Sequence, residues 1–260
     1  MIPARPSPAM QLFFDRYVAR YLRTRFHRLL VWPAPPAPGT PARIFAMSHA
    51  SWWDVLVGYA LAHRLVRGPS YAPMDEAQLV RYRFLTRLGV YSVNRGSVAG
   101  IREFLRYSTE RLLEGAALWI TPQGEITPHW RRPVRFQAGL GHLVSRVPNV
   151  AVVPVAVAYE FMDEPRPEIL VKLGAARVFA PGDSPGRVTR ALERALEDEL
   201  DALRAAILGR DLGPFLTLLE GRTSASIVYD RIRALRAWLT GRPDPPRHGD
   251  VVSDPRRAAR

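Results

Sequence analysis

One histidine and one aspartate have the spacing of a base and its partner. The stretch Ser48-His49-Ala50-Ser51-Trp52-Trp53-Asp54-Val55 follows a short apolar run, Arg43-Ile44-Phe45-Ala46-Met47, that reads as a buried strand. It opens an apolar stretch, Val55 to Leu65, that reads as a helix. His49 therefore sits on a strand-to-helix turn, with a carboxylate in the first helical turn. The turn exposes the imidazole, and the carboxylate can hold its tautomer and stabilise its charged form. A plainer reading fits the same residues. Ser51-x-x-Asp54 is a capping box, in which Asp54 only satisfies the helix N-terminus and His49 is a loop residue. The pair alone does not decide between these readings; the later segments bear on it.

Two further turns carry candidate groups. A short strand, Val90 to Val93, runs into Asn94-Arg95-Gly96-Ser97, where an arginine, a glycine and a helix start form a plausible anion pocket. A core strand, Ala116 to Thr121, runs into Pro122-Gln123-Gly124-Glu125, where the glycine lets backbone N–H groups approach a ligand. His129-Trp130-Arg131-Arg132-Pro133-Val134-Arg135 adds positive charge beside it. Trp52 and Trp53 read as wall or membrane-contact aromatics, and His63 and His142, on helices, as structural. The chain has no cysteine, which excludes disulfides, a thiol nucleophile and Cys-based zinc sites. The scattered histidines offer no metal constellation. No G-x-S-x-G elbow occurs, so a nucleophilic serine is not suggested.

The elements that must position these groups alternate between strand and helix. Beyond the first pair come a weak strand at Ser70 to Met74, a helix from an Asp75 cap to Leu88 closed by Gly89, and a helix over Val98 to Leu113 capped by Ser97. A short helix at Gln137 to Arg146, a strong strand at Val150 to Tyr159 and another at Ile169 to Leu173 follow. This spacing predicts an α/β domain with a mixed, mainly parallel sheet and helices on both faces. The site is expected at the carboxyl ends of the strands.

Five segments are expected. Residues 1–32 contain a basic, aromatic-rich amphipathic helix, running from Met10 to Trp32. Such a helix suits a membrane surface, with rings at the acyl boundary and guanidiniums on phosphates, or packing on the core; the two can coexist. Residues 33–41 form a proline-rich linker, and residues 42–182 the α/β core. Residues 183–240 are helical, with helices at Pro185 to Leu208 and Thr223 to Leu239, and residues 241–260 are a disordered tail.

The formal net charge is +13, from 37 basic and 24 acidic residues, and Lys172 is the only lysine. A surplus of this size attracts phospholipid headgroups, phosphorylated substrates, coenzyme A or nucleic acid. Arginine is spread along every helix with no stripe, which makes nucleic acid an improbable partner. Apolar stretches are broken by arginine well short of the ~20 residues a spanning helix needs. Arg16, Arg20 and Arg23 likewise break any signal-peptide core.

Four separated segments resemble the motifs of the glycerolipid acyltransferase superfamily, the lysophosphatidate acyltransferase-like family. His49-x-x-x-x-Asp54 resembles its first motif. Gly89-x-x-Ser92-x-x-Arg95 resembles its second, G-x-x-F-x-x-R, with serine at the aromatic position. Pro122-Gln123-Gly124-Glu125 resembles its third, F-P-E-G-T-R, and Val150 to Val155, with Pro154, its fourth.

The resemblance implies acyl transfer from an acyl-CoA or acyl carrier protein thioester to a lipid hydroxyl, with lysophosphatidate as the default acceptor. His49 would be the general base, Asp54 its orienting partner and Arg95 the acceptor-phosphate residue. Gln123, Gly124 and Glu125 would line the substrate site, with backbone N–H groups near Gly124 facing the oxyanion, and a channel for the acyl tail would run from the His49 turn between apolar helices. No cofactor beyond the thioester co-substrate is implied. The expected location is the cytoplasmic face of the membrane, bound peripherally to anionic lipid. The chain departs from the pattern at Gln123, where glutamate is usual, and at Glu125 and Ile126, where threonine and arginine are usual. Arg131, Arg132 or Arg135 could replace the missing arginine. Without that clamp, a non-phosphate lipid alcohol such as a glycosylated terpenoid is an alternative acceptor. A non-catalytic, membrane-attached lipid-binding module is the alternative to an enzyme.

Overall fold

The computed structural model describes residues 1–34, 43–180 and 182–221. Nine strands and six α-helices build it. In chain order they are α1 (Pro8–Arg25), β1 (Arg28–Trp32), β2 (Arg43–Met47), α2 (Asp54–Leu65), β3 (Ser70–Asp75), α3 (Glu76–Arg81), β4 (Val90–Val93) and α4 (Val98–Leu113). Then come β5 (Ala117–Ile120), α5 (Gly139–Val144), β6 (Ala151–Glu160), β7 (Glu168–Leu173), β8 (Arg177–Val178), α6 (Pro185–Leu208) and β9 (Leu216–Glu220). A 3-10 helix, Arg83–Leu88, links α3 to β4.

All strands join one sheet in the order β4-β3-β5-β2-β6-β7-β1-β9, with β8 paired to β6. The block β4-β3-β5-β2-β6 is parallel throughout. Antiparallel pairing enters only beyond it, at β6 with β7 and β8 and at β1 with β9. The expected mixed, mainly parallel α/β sheet is present.

Alternation along the strands divides the core between two faces. Phe45 and Met47 of β2, Trp119 of β5 and Val153, Val155 and Val157 of β6 meet α1, α2 and Leu79 of α3. Ile44 and Ala46, Leu118 and Val152 face the other way, against Phe104, Leu105 and Leu112 of α4, Leu140 and Leu143 of α5, and Val188 and Leu192 of α6. Central strands covered on both faces need near-continuous apolar sequence, which is why β6 reads A-V-V-P-V-A-V-A.

Two expectations change. The N-terminal helix stops at Arg25, where Phe26 turns extended (φ −118°, ψ 153°), and Arg28–Trp32 becomes β1. The cause is long-range pairing. The N–H of His27 donates to the Pro167 carbonyl at 2.9 Å, and Leu29 to Trp32 pair in parallel with Ile169 to Lys172 of β7. The boundaries at 32 and 183 also fail to separate packing units. β1 and β9 lie in the same sheet as the core strands, and α6 packs Leu196, Leu200 and Leu203 on Ala156 and Ala158 of β6. Most of the expected linker, the expected helix at Thr223 to Leu239 and the expected tail lie outside the described residues.

Candidate active site

Because the five central strands run parallel, their carboxyl ends share one edge of the sheet. His49 leaves β2 there, Asp75 ends β3, Arg95 follows β4, Gln123 and Gly124 follow β5, and Tyr159 lies near the end of β6. Such an edge is where open α/β sheets place their sites.

The turn after β2 is fixed through its backbone. The N–H of Ser48 donates to the Val155 carbonyl at 2.9 Å, and the Ser48 hydroxyl accepts from the N–H of Val157 at 3.0 Å. The N–H of His49 donates to Gln123 Oε1 at 2.8 Å, and its carbonyl accepts from the N–H of Thr127 at 2.7 Å. Both main-chain groups of His49 are therefore held by the segment after β5.

The imidazole then meets the aspartate. His49 Nδ1 lies 2.9 Å from Asp54 Oδ2, with the histidine side chain 18% exposed and the aspartate fully buried. The same oxygen accepts from the N–H groups of Ala50 at 2.7 Å and Ser51 at 2.8 Å. The other oxygen, Oδ1, accepts from the hydroxyl of Tyr159 at 2.5 Å. A carboxylate only accepts, so Nδ1 carries the proton and Nε2 has its lone pair free. The capping role is also real, since Asp54 bonds the Ser51 N–H and Ser51 Oγ accepts from the Trp53 N–H at 3.3 Å. One carboxylate thus closes the helix start and orients the ring.

Tyr159 was not visible as a site residue in the sequence. Its only sequence signal is a phenol at the end of the strongest strand. Burial first, then the Asp54 charge and the hydrogen bond to it, push its ionisation well above the ordinary phenol value, so it stays a donor.

The Arg95 loop has a different character. Arg95 Nη1 donates to the Gly124 carbonyl at 2.7 Å, and Nη2 lies 3.8 Å from Asp75, with both charged side chains substantially exposed. Gly124 is required here twice over: its φ is +76°, and a Cβ would come within 2.9 Å of Arg95 Nη1. Its N–H donates to the Thr121 carbonyl at 3.1 Å. That one amide therefore closes its own turn. Its carbonyl instead holds Arg95.

Gln123 is buried and adjoins His49; Glu125 is exposed and, among the described residues, forms no ion pair. Of the substitute arginines, Arg132 pairs with Asp201 at 2.5 Å, Arg135 lies 3.9 Å from Glu193, and Arg131 is exposed. His129 lies 3.6 Å from Glu160. Ser92, which stands at the aromatic position of the motif it resembles, is buried and pairs with the N-terminal segment: Ser92 Oγ accepts from the Ile2 N–H at 2.6 Å and donates to Glu76 at 3.0 Å. A ring at this position would displace that segment.

The expected tail channel is not found at either of the two best-formed concavities. One, lined by Leu22, Phe26 and Leu219, has no room for even a water molecule. The other, about 440 Å³, lies between α5 and α6 and is lined by Phe136, His142 and Arg190. Neither touches His49. Apolar surface near the dyad is instead open: Trp52 and Val55 at the start of α2 and Phe13 and Tyr17 on α1 are all exposed.

Comparisons with known proteins bear on the family. The family model described as Acyltransferase matches residues 33–158, a span that holds His49, Asp54, Arg95 and Gln123. That match supports the glycerolipid acyltransferase superfamily for this span. Among solved structures, this chain is similar to the 1-acyl-sn-glycerophosphate acyltransferase PlsC from Thermotoga maritima. The TM-score is 0.50 at 15% identity, over 76% of this chain and 79% of that one, a likeness of fold. A search of the curated proteins finds no match.

Proposed function

We propose that this acyltransferase moves a fatty acyl group from an acyl-CoA or acyl carrier protein thioester to a lipid hydroxyl, with His49 as general base. The supporting observation is the 2.9 Å bond between His49 Nδ1 and Asp54 Oδ2, which leaves Nε2 as a proton acceptor. In this mechanism Nε2 takes the hydroxyl proton as the acceptor oxygen attacks the thioester carbonyl. The tetrahedral intermediate collapses, the C–S bond breaks, and the imidazolium returns the proton to the departing thiolate. Ester and free thiol are the products, and no metal or redox group enters the balance. Asp54 stabilises the imidazolium in between. Gln123 supports the oxyanion. Its Oε1 is committed to the His49 N–H, so its amide NH₂ is the end left to donate.

The default acceptor is a lysophospholipid such as lysophosphatidate, with Arg95 as the phosphate partner. An acceptor without phosphate is favoured by one observation: Arg95 already bonds the Gly124 carbonyl and lies near Asp75. Membrane attachment is peripheral, on the cytoplasmic face. No described helix is long and apolar enough to cross a membrane. On α1, Phe14, Val18 and Leu22 pack on the core while Leu12, Phe13, Tyr17, Arg16 and Arg20 remain exposed, so the helix can serve the core and an anionic lipid surface together.

The test incubates purified protein with labelled acyl-CoA, or labelled acyl carrier protein, and a lipid extract. Transfer should occur and be abolished by His49→Ala with the fold intact. Equal transfer by the variant would refute the mechanism, and no transfer from either donor by the wild type would favour the lipid-binding module.

A further inference from the structure

The structure leaves one part of the dyad unexplained by its motif. Asp54 Oδ2 is held by His49 Nδ1 and by two backbone N–H groups of its own turn. All three bonds converge on one oxygen. They fix a pivot, while the torsion of a carboxylate about its last bond is soft and nearly two-fold. The plane of the group, and with it the direction from which the imidazole is held, depends on the second oxygen. That oxygen is fully buried and has one partner, the Tyr159 hydroxyl at 2.5 Å.

We propose that Tyr159 is a positioning residue of the catalytic site, which locks the Asp54 carboxylate plane from β6 and moderates the charge that Asp54 presents to His49. The inference rests on the reading of His49 as the base. The phenol suits this work. It is rigid, since its strand pairs with β7 at Tyr159–Ile169 and its ring lies 5.9 Å from that of Phe26. Phe26 in turn stands edge-on to Trp53 at 4.9 Å, so the residue next to Asp54 and the residue bonded to Asp54 share one aromatic wall. The phenol also stays protonated, being raised well above its usual ionisation by burial and by the Asp54 charge.

Electrostatically, a hydrogen bond to Oδ1 spreads the carboxylate charge over the donor. Removing it concentrates that charge on the dyad, which favours the imidazolium. A base that holds its proton more tightly loses activity at a higher pH on the acid side. The other titratable groups near Tyr159 are already engaged with one another. Glu160 lies 3.6 Å from His129, and Glu168, opposite Glu160 across β6 and β7, is paired with Arg28 of β1 at 2.5 Å. None of these bonds is touched by loss of the phenol.

The experiment measures kcat and KM across pH for wild type, Tyr159→Phe and His49→Ala. In Tyr159→Phe, kcat should fall roughly 10- to 100-fold, the scale known for outer partners that orient functional imidazoles. KM should hold, and the acid limb should move to higher pH. A merely structural role would lower the melting temperature and leave the limb in place. Site-specific fluorotyrosine at position 159 is the second arm, and it keeps the shape. A more acidic phenol donates more strongly, so the limb should move to lower pH. Wild-type kcat and an unmoved limb in both arms would overturn the proposal. If His49→Ala retains transfer, the reading of the dyad fails instead, which separates the two failures.

Discussion

The His49 turn and the Arg95 loop lie on one edge of the sheet, and they are built to opposite specifications. Around Asp54, four donors from two elements, the turn after β2 and strand β6, converge on a fully buried carboxylate, and both main-chain groups of His49 are bonded. Around Arg95, an exposed guanidinium rests on one carbonyl and a distant aspartate. A preorganised dyad costs no reorganisation at the moment of reaction. An exposed arginine in high dielectric is held weakly and can be re-aimed by a ligand. The contrast teaches that the proposed base and its partner are fixed by the fold, while Arg95, the proposed acceptor contact, gives way easily.

Four substitutions sharpen or break this contrast. The largest effect belongs to the rigid side. Asp54→Asn places an amide against three donors and a phenol, misorients the ring and removes the charge. Steady-state kinetics should show kcat down on the order of 10³- to 10⁴-fold, the range for losing an orienting carboxylate. A loss under tenfold would sink the orienting role.

Gln123→Glu comes next, because Gln123 joins the two regions. The variant keeps an acceptor for the His49 N–H, so the thermal melt should hold. It replaces a donor with an anion, so kcat should fall roughly 10²-fold, as when an oxyanion donor is removed. A fall in melting temperature with unchanged kcat would make the side chain structural only.

Arg95→Ala tests the soft side. With a phosphate-bearing acceptor, KM should rise about tenfold, the low end for a charged hydrogen bond at an exposed site. With a phosphate-free alcohol KM should not change, so the pair of acceptors reads out which class is used. The smallest effect concerns attachment. The double variant Phe13→Glu, Tyr17→Glu should weaken flotation with anionic vesicles a few-fold, since partial burial of each ring contributes roughly 1 kcal/mol. Its melt should match the wild type, because both side chains are exposed. Deleting residues 1–32 is not an equivalent test, for it would remove β1 from the sheet interior.

Much of the architecture was legible because it is local. Ser97 caps α4 through the N–H of Gly100, and Ser184 caps α6 through the N–H of Arg187, as serine before an amphipathic run should. Gly89, at φ +99°, stops the 3-10 helix where the chain must turn into β4. The sequence spacing does not distinguish the 3-10 helix from a continuation of the α-helix, since Leu85 and Leu88 keep apolar spacing in either form. Leu29, Leu30 and Val31 extend the apolar steps of α1 and so predict helix; only β7 and β9 on its flanks make β1 a strand. β9 leaves no clear sequence signal, since Leu216 to Glu220 is a short, mostly exposed edge strand.

The amino-acid order by itself determined that a histidine and an aspartate would face each other across one turn, because five positions on a strand-to-helix junction leave little freedom. It also determined the two-faced strands and the caps that start the main helices. The tertiary structure alone decided what surrounds the pair: Tyr159, 105 positions from Asp54, and Gln123, 74 positions from His49. Sheet register brings such residues together, and register is a property of neighbouring strands that no single stretch of sequence contains.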